Sequence, residues 1–227
     1  MSLNGVKFGN KHSYNDWGLV LRTRPIIEPP EPKTVYIDIP EANGSLDLTQ
    51  FLTGNVCYKM RKIKFEFNVM SERSTWNTVY STIMHHLHGK RMRIVFDEET
   101  NLEYIGRCEV TEWKSDKRTS IIKIEALVDP FKYELSTTVE TKTAEEFLED
   151  NVFHLRVGGD APVIPTITCT KSVRIFYENK YYTLVEGVNI NPFLTLKPDK
   201  ADTGFTVIEP EDGVFGDITV EYQEGYL

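Results

Sequence analysis

Two short stretches between residues 35 and 49 alternate between apolar and polar side chains. Val35 to Ile39 places Val, Ile and Ile on one side and Tyr and Asp on the other, and Leu46 to Thr49 resumes the alternation. A period of two is typical of a strand with one buried face. Asn43-Gly44 lies between the stretches and tolerates the positive φ angles of a turn. The pattern therefore predicts a half-buried β-hairpin.

A longer alternating stretch, Tyr58 to Met70, is followed by a segment with helical periodicity. The apolar face of the predicted strand consists of Ile63, Phe65, Phe67 and Val69. The next segment predicts an α-helix over residues 74–89, with Ser74 as its N-cap and Gly89 just beyond its C-terminus. Its apolar positions follow one helical face, namely Trp76, Val79, Tyr80, Ile83, Met84 and Leu87.

Turn residues divide the rest of the chain into further short strands. In the first half these are Arg93 to Phe96, Leu102 to Trp113 and Ile121 to Val128. In the second half they are Ile164 to Cys169, Val173 to Tyr177, Tyr181 to Val185, Val188 to Leu196, Phe205 to Ile208 and Asp217 to Tyr222. Short strands at this even spacing predict an antiparallel sandwich. Asp129-Pro130 ends the last strand of the first half, so we place a domain boundary near residue 135.

Four short strings near the start of the chain carry a family resemblance. They are Asp16-Trp17-Gly18-Leu19, Lys33-Thr34, Ile37-Asp38-Ile39-Pro40 and Asn43-Gly44-Ser45-Leu46-Asp47-Leu48-Thr49. Their order resembles the opening of the distal tail proteins of long, non-contractile-tailed phages, the siphovirus tail component family. The resemblance covers the whole chain and implies a mainly β fold. Residues 1–135 are expected to form a β-sandwich or split-barrel-like domain with one helix at 74–89, and residues 136–227 a galectin-like antiparallel β-sandwich.

The resemblance also implies a function. In that family the first domain builds a hexameric ring under the tail tube, and the second domain faces outward. This chain is accordingly expected to be a structural protein of the virion tail tip of a phage or prophage, made and assembled in the cytoplasm of the bacterial host. Its expected partners are further copies of itself, the tail tube protein and the tip or baseplate protein, which the ring joins as a hub.

A carbohydrate-binding sandwich that contributes to host-surface adhesion is the alternative function. Sugar sites on galectin-like sandwiches commonly stack a sugar ring on a tryptophan, but all three tryptophans lie in the first half. The second half offers His154, Arg156 and Arg174 together with several tyrosines and phenylalanines.

Two segments are candidates for the contact that closes the expected ring. Arg24 to Lys33 contains four prolines, which favour an extended, semi-rigid arm, and Trp113 to Ser120 is a charged hairpin tip. A head-to-tail ring contact joins two different surfaces, and neither segment has an evident partner in its own domain. The alternative is that both segments are solvated surface loops. The candidate contact residues are Pro25, Glu28, Pro29, Pro30, Pro32, Lys114, Lys117 and Arg118.

Charge is unequally divided between the halves. Residues 1–135 hold 19 Lys and Arg against 18 Asp and Glu, whereas residues 136–227 hold 7 against 16. Because phosphate neutralisation provides most non-specific affinity for DNA, the acidic second half argues against nucleic-acid binding. The sequence has no apolar run long enough to cross a bilayer and no secretory signal features at its start, so we expect no membrane association.

The chain carries no recognisable catalytic or cofactor motif. It lacks a Gly-x-Ser-x-Gly elbow, a His-Glu-x-x-His pair and the glycine-rich loops that bind phosphates. We therefore predict no catalytic residue, no cofactor and no enzymatic activity. His85, His86 and His88 crowd the end of the predicted helix, but only His85 and His88 share a face, so we predict no metal site there.

Three cysteines, Cys57, Cys108 and Cys169, lie more than forty residues apart. This spacing matches no zinc motif, and an odd count argues against a disulfide framework. Each cysteine lies in a strand-like run. We therefore expect three buried thiols in a reducing compartment.

Overall fold

The computed structural model describes residues 5–41, 43–51, 54–198, 204–208, 210 and 213–227, and it is mainly β, as the sequence predicts. The chain divides into two compact units, Met1–Lys132 and Tyr133–Leu227. The strands of the first unit are β1 (Val6–Phe8), β2 (Lys11–His12), β3 (Leu19–Leu21), β4 (Ile26–Ile27), β5 (Tyr36–Asp38), β6 (Ser45–Asp47), β7 (Arg61–Val69), β8 (Lys90–Phe96), β9 (Leu102–Ser115) and β10 (Ser120–Val128). Its helices are α1 (Ser13–Trp17) and α2 (Trp76–Leu87), the latter preceded by a 3-10 turn at Arg73–Thr75.

In the second unit the helix α3 (Ala144–Glu149) accompanies a set of short strands. These are β12 (Thr138–Lys142), β13 (Val152–Phe153), β14 (Thr166–Cys169), β15 (Val173–Tyr177), β16 (Lys180–Leu184), β17 (Gly187–Ile190), β18 (Phe205–Ile208), β19 (Ile218–Tyr222) and β20 (Gly225–Tyr226). Strand β11 (Lys132–Glu134) spans the division between the units and pairs with β20.

One antiparallel sheet organises the first unit. Its strands follow the order β2-β1-β8-β9-β10-β7-β3, and β4 pairs with β7 beside β3. The central strands bury every second residue, as their alternation predicts: Ile63, Phe65, Phe67 and Val69 of β7, and Ile122, Ile124, Ala126 and Val128 of β10. Burial of this continuous apolar face is the main stabilising term of the unit.

Helix α2 covers the inner face of this sheet at β8 and β9. The predicted apolar stripe is confirmed, because Trp76, Ile83 and Leu87 are buried in the same core as the strands. The predicted N-cap is wrong, because Ser74 lies in the 3-10 turn and the helix begins after Thr75. Gly89 has a φ of +75°, as expected of a residue that ends a helix in the left-handed region.

The first unit contains a second, shorter helix, α1, which was not predicted from the sequence. His12 is its N-cap, and the imidazole Nδ1 accepts hydrogen bonds from the backbone N–H groups of Tyr14 and Asn15 at 3.1 Å each. The helix places Trp17 in the core with 5% of its surface exposed. The expectation of a single α-helix in this half is therefore wrong, because α1 is present in addition to α2.

The second unit is a β-sandwich. Two four-stranded antiparallel sheets, β12-β19-β14-β17 and β13-β18-β15-β16, enclose one hydrophobic core. Both sheets contribute to it, for example through Ile167 and Val220 from the first and Ile175 and Val207 from the second. The predicted strand Val188 to Leu196 is shorter in the structure, because β17 ends at Ile190.

Helix α3 was not predicted, although its start carries a sequence signal. Thr143 and Glu146 form a capping box, in which the Thr143 side chain accepts from the Glu146 N–H and the Glu146 carboxylate accepts from the Thr143 N–H at 2.7 Å. This arrangement satisfies two backbone donors that a helix start leaves unpaired. Phe147 then points into the core of the sandwich.

Candidate assembly surfaces

The hairpin of β5 and β6 is the most unusual surface of the first unit. The two strands pair only with each other, as a separate two-stranded sheet. The sequence predicts one buried face for this hairpin. That prediction is wrong for the single chain, because every residue of β5 and β6 is exposed. Gly44 at its turn has a φ of +83°, as the Asn-Gly pair predicts.

Register assigns the hairpin residues to two chemically different faces. Ile37 pairs with Leu46, so these two side chains share a face, and strand alternation adds Val35 and Ile39 to it. These four side chains, which we call the apolar hairpin face, are between 48% and 51% exposed. The opposite face carries Tyr36, Asp38, Ser45 and Asp47.

The proline-rich arm before the hairpin is bound to its own unit. Glu28 N–H donates to the Lys62 carbonyl at 2.9 Å, and Lys33 N–H donates to the Cys57 carbonyl at 2.7 Å. Between these points Pro32 forms a β-bridge with Tyr58. The premise that the arm lacks partners in its own domain is therefore wrong, since it runs as an edge strand along the segment that leads into β7.

Side chains reinforce this attachment of the arm. Lys64 Nζ lies 2.6 Å from Glu28 Oε1, and Lys59 Nζ lies 3.0 Å from Glu31 Oε2. The ion pair with Lys64 lowers the pKa of Glu28. Both pairs are solvent-exposed, so their contribution to stability is small, but they fix the register of the arm.

The charged hairpin tip between β9 and β10 is a compact turn. The Asp116 carboxylate accepts from the backbone N–H groups of Arg118 and Thr119 at 2.7 Å each, and these bonds lower its pKa. Lys114, Lys117 and Arg118 are all exposed. The turn therefore presents three exposed cations around a hydrogen-bonded backbone.

A groove of about 490 Å³ opens on the first unit where the starts of β7 and β8 lie beside the middle of β9 and the end of β10. Met60 and Leu127 contribute apolar surface to it and are 45% and 42% exposed. Its charged lining residues are Lys62, Arg91 and Arg107 together with Glu109 and Glu125. We call this surface the basic-rimmed groove.

Hydrogen bonds hold two of the groove's arginines in place. Arg91 donates to the carboxylate of Asp129, and Arg107 donates to the carbonyl oxygen of Gly89. Both guanidinium groups therefore stand at fixed positions on the rim. Arg91 and Arg107 occupy paired positions on β8 and β9, which places the two cations side by side.

Two of the three helix-end histidines have side-chain partners in the fold. His86 Nε2 lies 3.0 Å from the carbonyl oxygen of Phe8, and His88 Nδ1 accepts from the Val110 N–H at 3.1 Å. Among the residues that the structure describes, no three His, Cys, Asp or Glu side chains are grouped so as to hold a metal ion. His86 and His88 thus tie helix α2 to β1 and β9.

The three thiols differ in exposure, and no disulfide joins them. Cys108 and Cys169 are buried, and burial raises their pKa values to about 12 and about 11. Cys57 is exposed, so the expectation of three buried thiols is wrong at this position. It lies beside the arm, where its carbonyl accepts from Lys33.

The residues considered for sugar binding in the second unit have separate roles. Arg174 lies over the ring of Tyr181 at 5.1 Å, and Phe176 packs against the same ring at a centroid distance of 4.9 Å. His154 Nε2 lies 3.0 Å from the carboxylate of Asp150. Tyr181 is 62% exposed, so β15 and β16 present an aromatic ring flanked by a guanidinium group to solvent.

Helices in the described part of the chain are all too short or too polar to cross a bilayer. No family model and no curated protein sequence matches the chain. Among solved structures, it is similar to SPP1 Dit (gp 19.1), described as a paradigm of the hub adsorption apparatus in phages that infect Gram-positive bacteria. The similarity covers 100% of both chains with a TM-score of 0.72 and 13% sequence identity. The predicted resemblance to distal tail proteins is thus confirmed at the level of the fold.

Proposed function

We propose that this chain is a distal tail protein, a structural and non-enzymatic component of the tail tip of a phage or prophage. The observation that carries the proposal is the full-length match to a phage hub protein, which includes both units of the chain. A fold alone does not determine function. Here, however, the match extends over two successive β-rich units, and the first of them exposes surfaces suited to assembly.

The function we propose is to form a closed ring that connects other tail proteins. Six copies form a ring through the first unit, and the ring joins the tail tube on one side to the tip or baseplate protein on the other. A closed ring requires a heterologous contact, in which two different surfaces of each copy meet. The first unit offers several exposed candidates, namely the hairpin of β5 and β6, the charged tip with Lys117 and Arg118, and the outer side of the proline-rich arm.

The second unit faces outward in this proposal. Its sandwich holds the acidic half of the chain, with 7 Lys and Arg against 16 Asp and Glu over residues 136–227. An acidic surface repels nucleic acid, which suits a position away from a channel that DNA passes. The assembled protein belongs to the virion and is made in the bacterial host cytoplasm.

The test is a measurement of mass in solution over a wide range of concentrations, combined with electron microscopy of the assembled species. Six chains of 26.2 kDa predict a particle of about 157 kDa with sixfold symmetry. Adding the tail tube protein and the tip protein should stabilise the ring by mass action. A chain that stays monomeric at high concentration with both partners present contradicts the proposal.

A charge reversal tests the tip as part of the ring contact. Lys117→Glu with Arg118→Glu should lower the oligomeric mass, because these exposed cations would no longer meet carboxylates of the neighbouring copy. Arg156→Glu with Lys180→Glu changes the net charge equally in the second unit and serves as the control. If both variants assemble as well as the parent, the tip is not part of the ring contact.

Carbohydrate binding by the second unit is the alternative function. The exposed ring of Tyr181, with Arg174 over it, is the observation that favours it, since sugars stack on aromatic rings and accept hydrogen bonds from guanidinium groups. Gel retardation in soluble neutral polysaccharides tests this function. Loss of retardation in Tyr181→Ala supports it, and absence of retardation of the parent refutes it.

A further inference from the structure

The second unit is acidic, but the strands of one of its two sheets are not. Strands β13, β18, β15 and β16 contain no Asp or Glu, and their only charged residues are Arg174 and Lys180. Residues 136–227 as a whole hold 16 Asp and Glu against 7 Lys and Arg. An anion that approaches this sheet therefore meets cations rather than carboxylates on its strands.

Alternation along these strands gives the sheet one outer face. Arg174 and Phe176 alternate with buried residues of β15, and Tyr181 and Thr183 alternate with buried residues of β16. Register pairs Phe176 with Tyr181 and Arg174 with Thr183, so the four side chains are neighbours, and β18 adds two more beside them. We call this surface the aromatic face, and its residues are Arg174, Phe176, Tyr181, Thr183, Thr206 and Ile208.

The guanidinium group of Arg174 is positioned by a ring and not by an anion. It lies 5.1 Å from the centre of the Tyr181 ring. Among the residues that the structure describes, no carboxylate forms an ion pair with it. Glu178, in the turn between β15 and β16, lies 3.0 Å from Lys197 Nζ instead. Arg174 thus keeps its N–H donors for an external anion, which a planar guanidinium group binds through two parallel hydrogen bonds.

The aromatic rings beside Arg174 suit a sugar. The ring centres of Phe176 and Tyr181 lie 4.9 Å apart, and Tyr181 is 62% exposed. Aromatic rings pack against the apolar C–H face of a sugar ring, while hydroxyl groups such as those of Tyr181 and Thr183 exchange hydrogen bonds with sugar hydroxyls. A ligand that has both a sugar ring and an anionic group would use both parts of the aromatic face.

We propose that the aromatic face binds an anionic glycan, that is, a polysaccharide that carries carboxylate or phosphate groups. Arg174 binds the anionic group, and the neighbouring sugar ring packs on Tyr181. This inference rests on carbohydrate binding, the alternative function proposed above, and adds the charge of the ligand to it. It does not depend on ring formation by the first unit.

Three polymers that share one sugar backbone test the charge preference. Dextran, carboxymethyl-dextran and phosphorylated dextran of equal chain length are titrated into the full chain at physiological ionic strength, and Kd is measured by calorimetry. At least one anionic form should bind about tenfold or more tightly than dextran, and the form with the lower Kd shows whether carboxylate or phosphate is preferred. Because the chain has a net charge of −8, general attraction to a polyanion does not produce this preference.

Two arginine variants locate the preference on the aromatic face. Arg174→Gln should bind the anionic forms no more tightly than dextran and should keep the Tm of the parent, because Arg174 is exposed. Arg156→Gln removes the same charge from an exposed position outside this sheet and is the matched control, which should bind like the parent. Equal losses in the two variants overturn the inference.

Two further polyanions test whether the sugar ring matters. Poly-L-glutamate carries carboxylates without sugar rings, and oligo(dT) represents single-stranded DNA. If either binds as tightly as the preferred dextran, the face recognises charge or nucleic acid and the inference is wrong.

The outcomes separate this inference from the functions proposed above. If dextran binds as tightly as its anionic forms, the charge preference is wrong and carbohydrate binding stands. If none of the three dextrans binds, carbohydrate binding and this inference are both wrong. The proposed tail-tip ring is unaffected in either case, because its test is the mass of the assembled species.

Discussion

Replacing Ile83 with alanine tests whether the two units unfold independently. Ile83 lies on helix α2 and is fully buried in the core of the first unit. The change deletes three carbon atoms, which at about 0.8 kcal/mol each removes roughly 2.4 kcal/mol of transfer free energy. A residual cavity adds to this, so the expected loss of stability is about 3–4 kcal/mol.

For a unit of this size each kcal/mol corresponds to roughly 3–5 °C in Tm, so the midpoint of the first unit should fall by about 10–15 °C. The assay is differential scanning calorimetry of the full chain. We expect two transitions, of which Ile83→Ala lowers one. Val207→Ala, at a fully buried position of the second unit, should lower the other.

Ser81→Ala on the exposed side of the same helix is the control, and its Tm should stay within about 2 °C of the parent because alanine is at least as good a helix former as serine. A fall of less than about 3 °C for Ile83→Ala would mean that the helix does not support the core. A common transition that both core variants lower would refute independent unfolding.

Three further outcomes are expected. Of the three thiols, Cys57 should react with a thiol reagent in the native protein, while Cys108 and Cys169 react only in denaturant, because burial raises their pKa values to about 12 and about 11; modification of two or three native thiols contradicts this. Thr143→Ala should lower the Tm of the second unit by removing a helix cap. Hydrogen bonds from the Thr143 backbone N–H and then from its hydroxyl lower the pKa of Glu146, so the stabilisation by its carboxylate is present above the unfolded-state pKa and is lost as the pH falls through the native one. Thr143→Ala keeps the backbone bond and removes only the hydroxyl's bond to the carboxylate. The difference in Tm between parent and variant should therefore narrow only in part on acidification, and a constant difference would mean that the hydroxyl acts only as the acceptor for the Glu146 N–H. Zinc, nucleotides or DNA should leave the Tm of the full chain unchanged. A Tm that rises with ligand concentration as mass action requires would show that the chain has a binding site for that ligand.

Much of the fold was predictable because its signals are local. The alternation in β7 and the apolar stripe of α2 each lie within one stretch of sequence, and both gave the correct element. Helix α3 was missed although Thr143-x-x-Glu146 is a capping signal, because a helix of six residues is too short to show periodicity. Its polar surroundings have the composition of a linker.

The candidate surfaces were less predictable because pairing between distant segments decides them. Nothing near Pro25 to Pro32 in sequence indicates that the arm pairs with residues about thirty positions later. The hairpin shows a different limit. Its alternation predicts one buried face, whereas every residue of β5 and β6 is exposed, because a pattern of apolar residues does not say which surface would cover it.

The pairing of the arm with β7 protects an otherwise open sheet edge. β3 pairs with one end of β7 and β4 with the other, so two short segments occupy the strand's outer side. Pro29 and Pro30 follow β4 and offer no N–H groups to a further strand, which blocks extension of the sheet from outside. An open sheet edge is a template for pairing with another chain, so removing Glu28 to Pro32 should yield open-ended aggregates. Smaller species than the parent's would instead assign the outer side of the arm to the ring contact. By covering this edge, the arm limits association to surfaces that are all occupied once a closed assembly has formed.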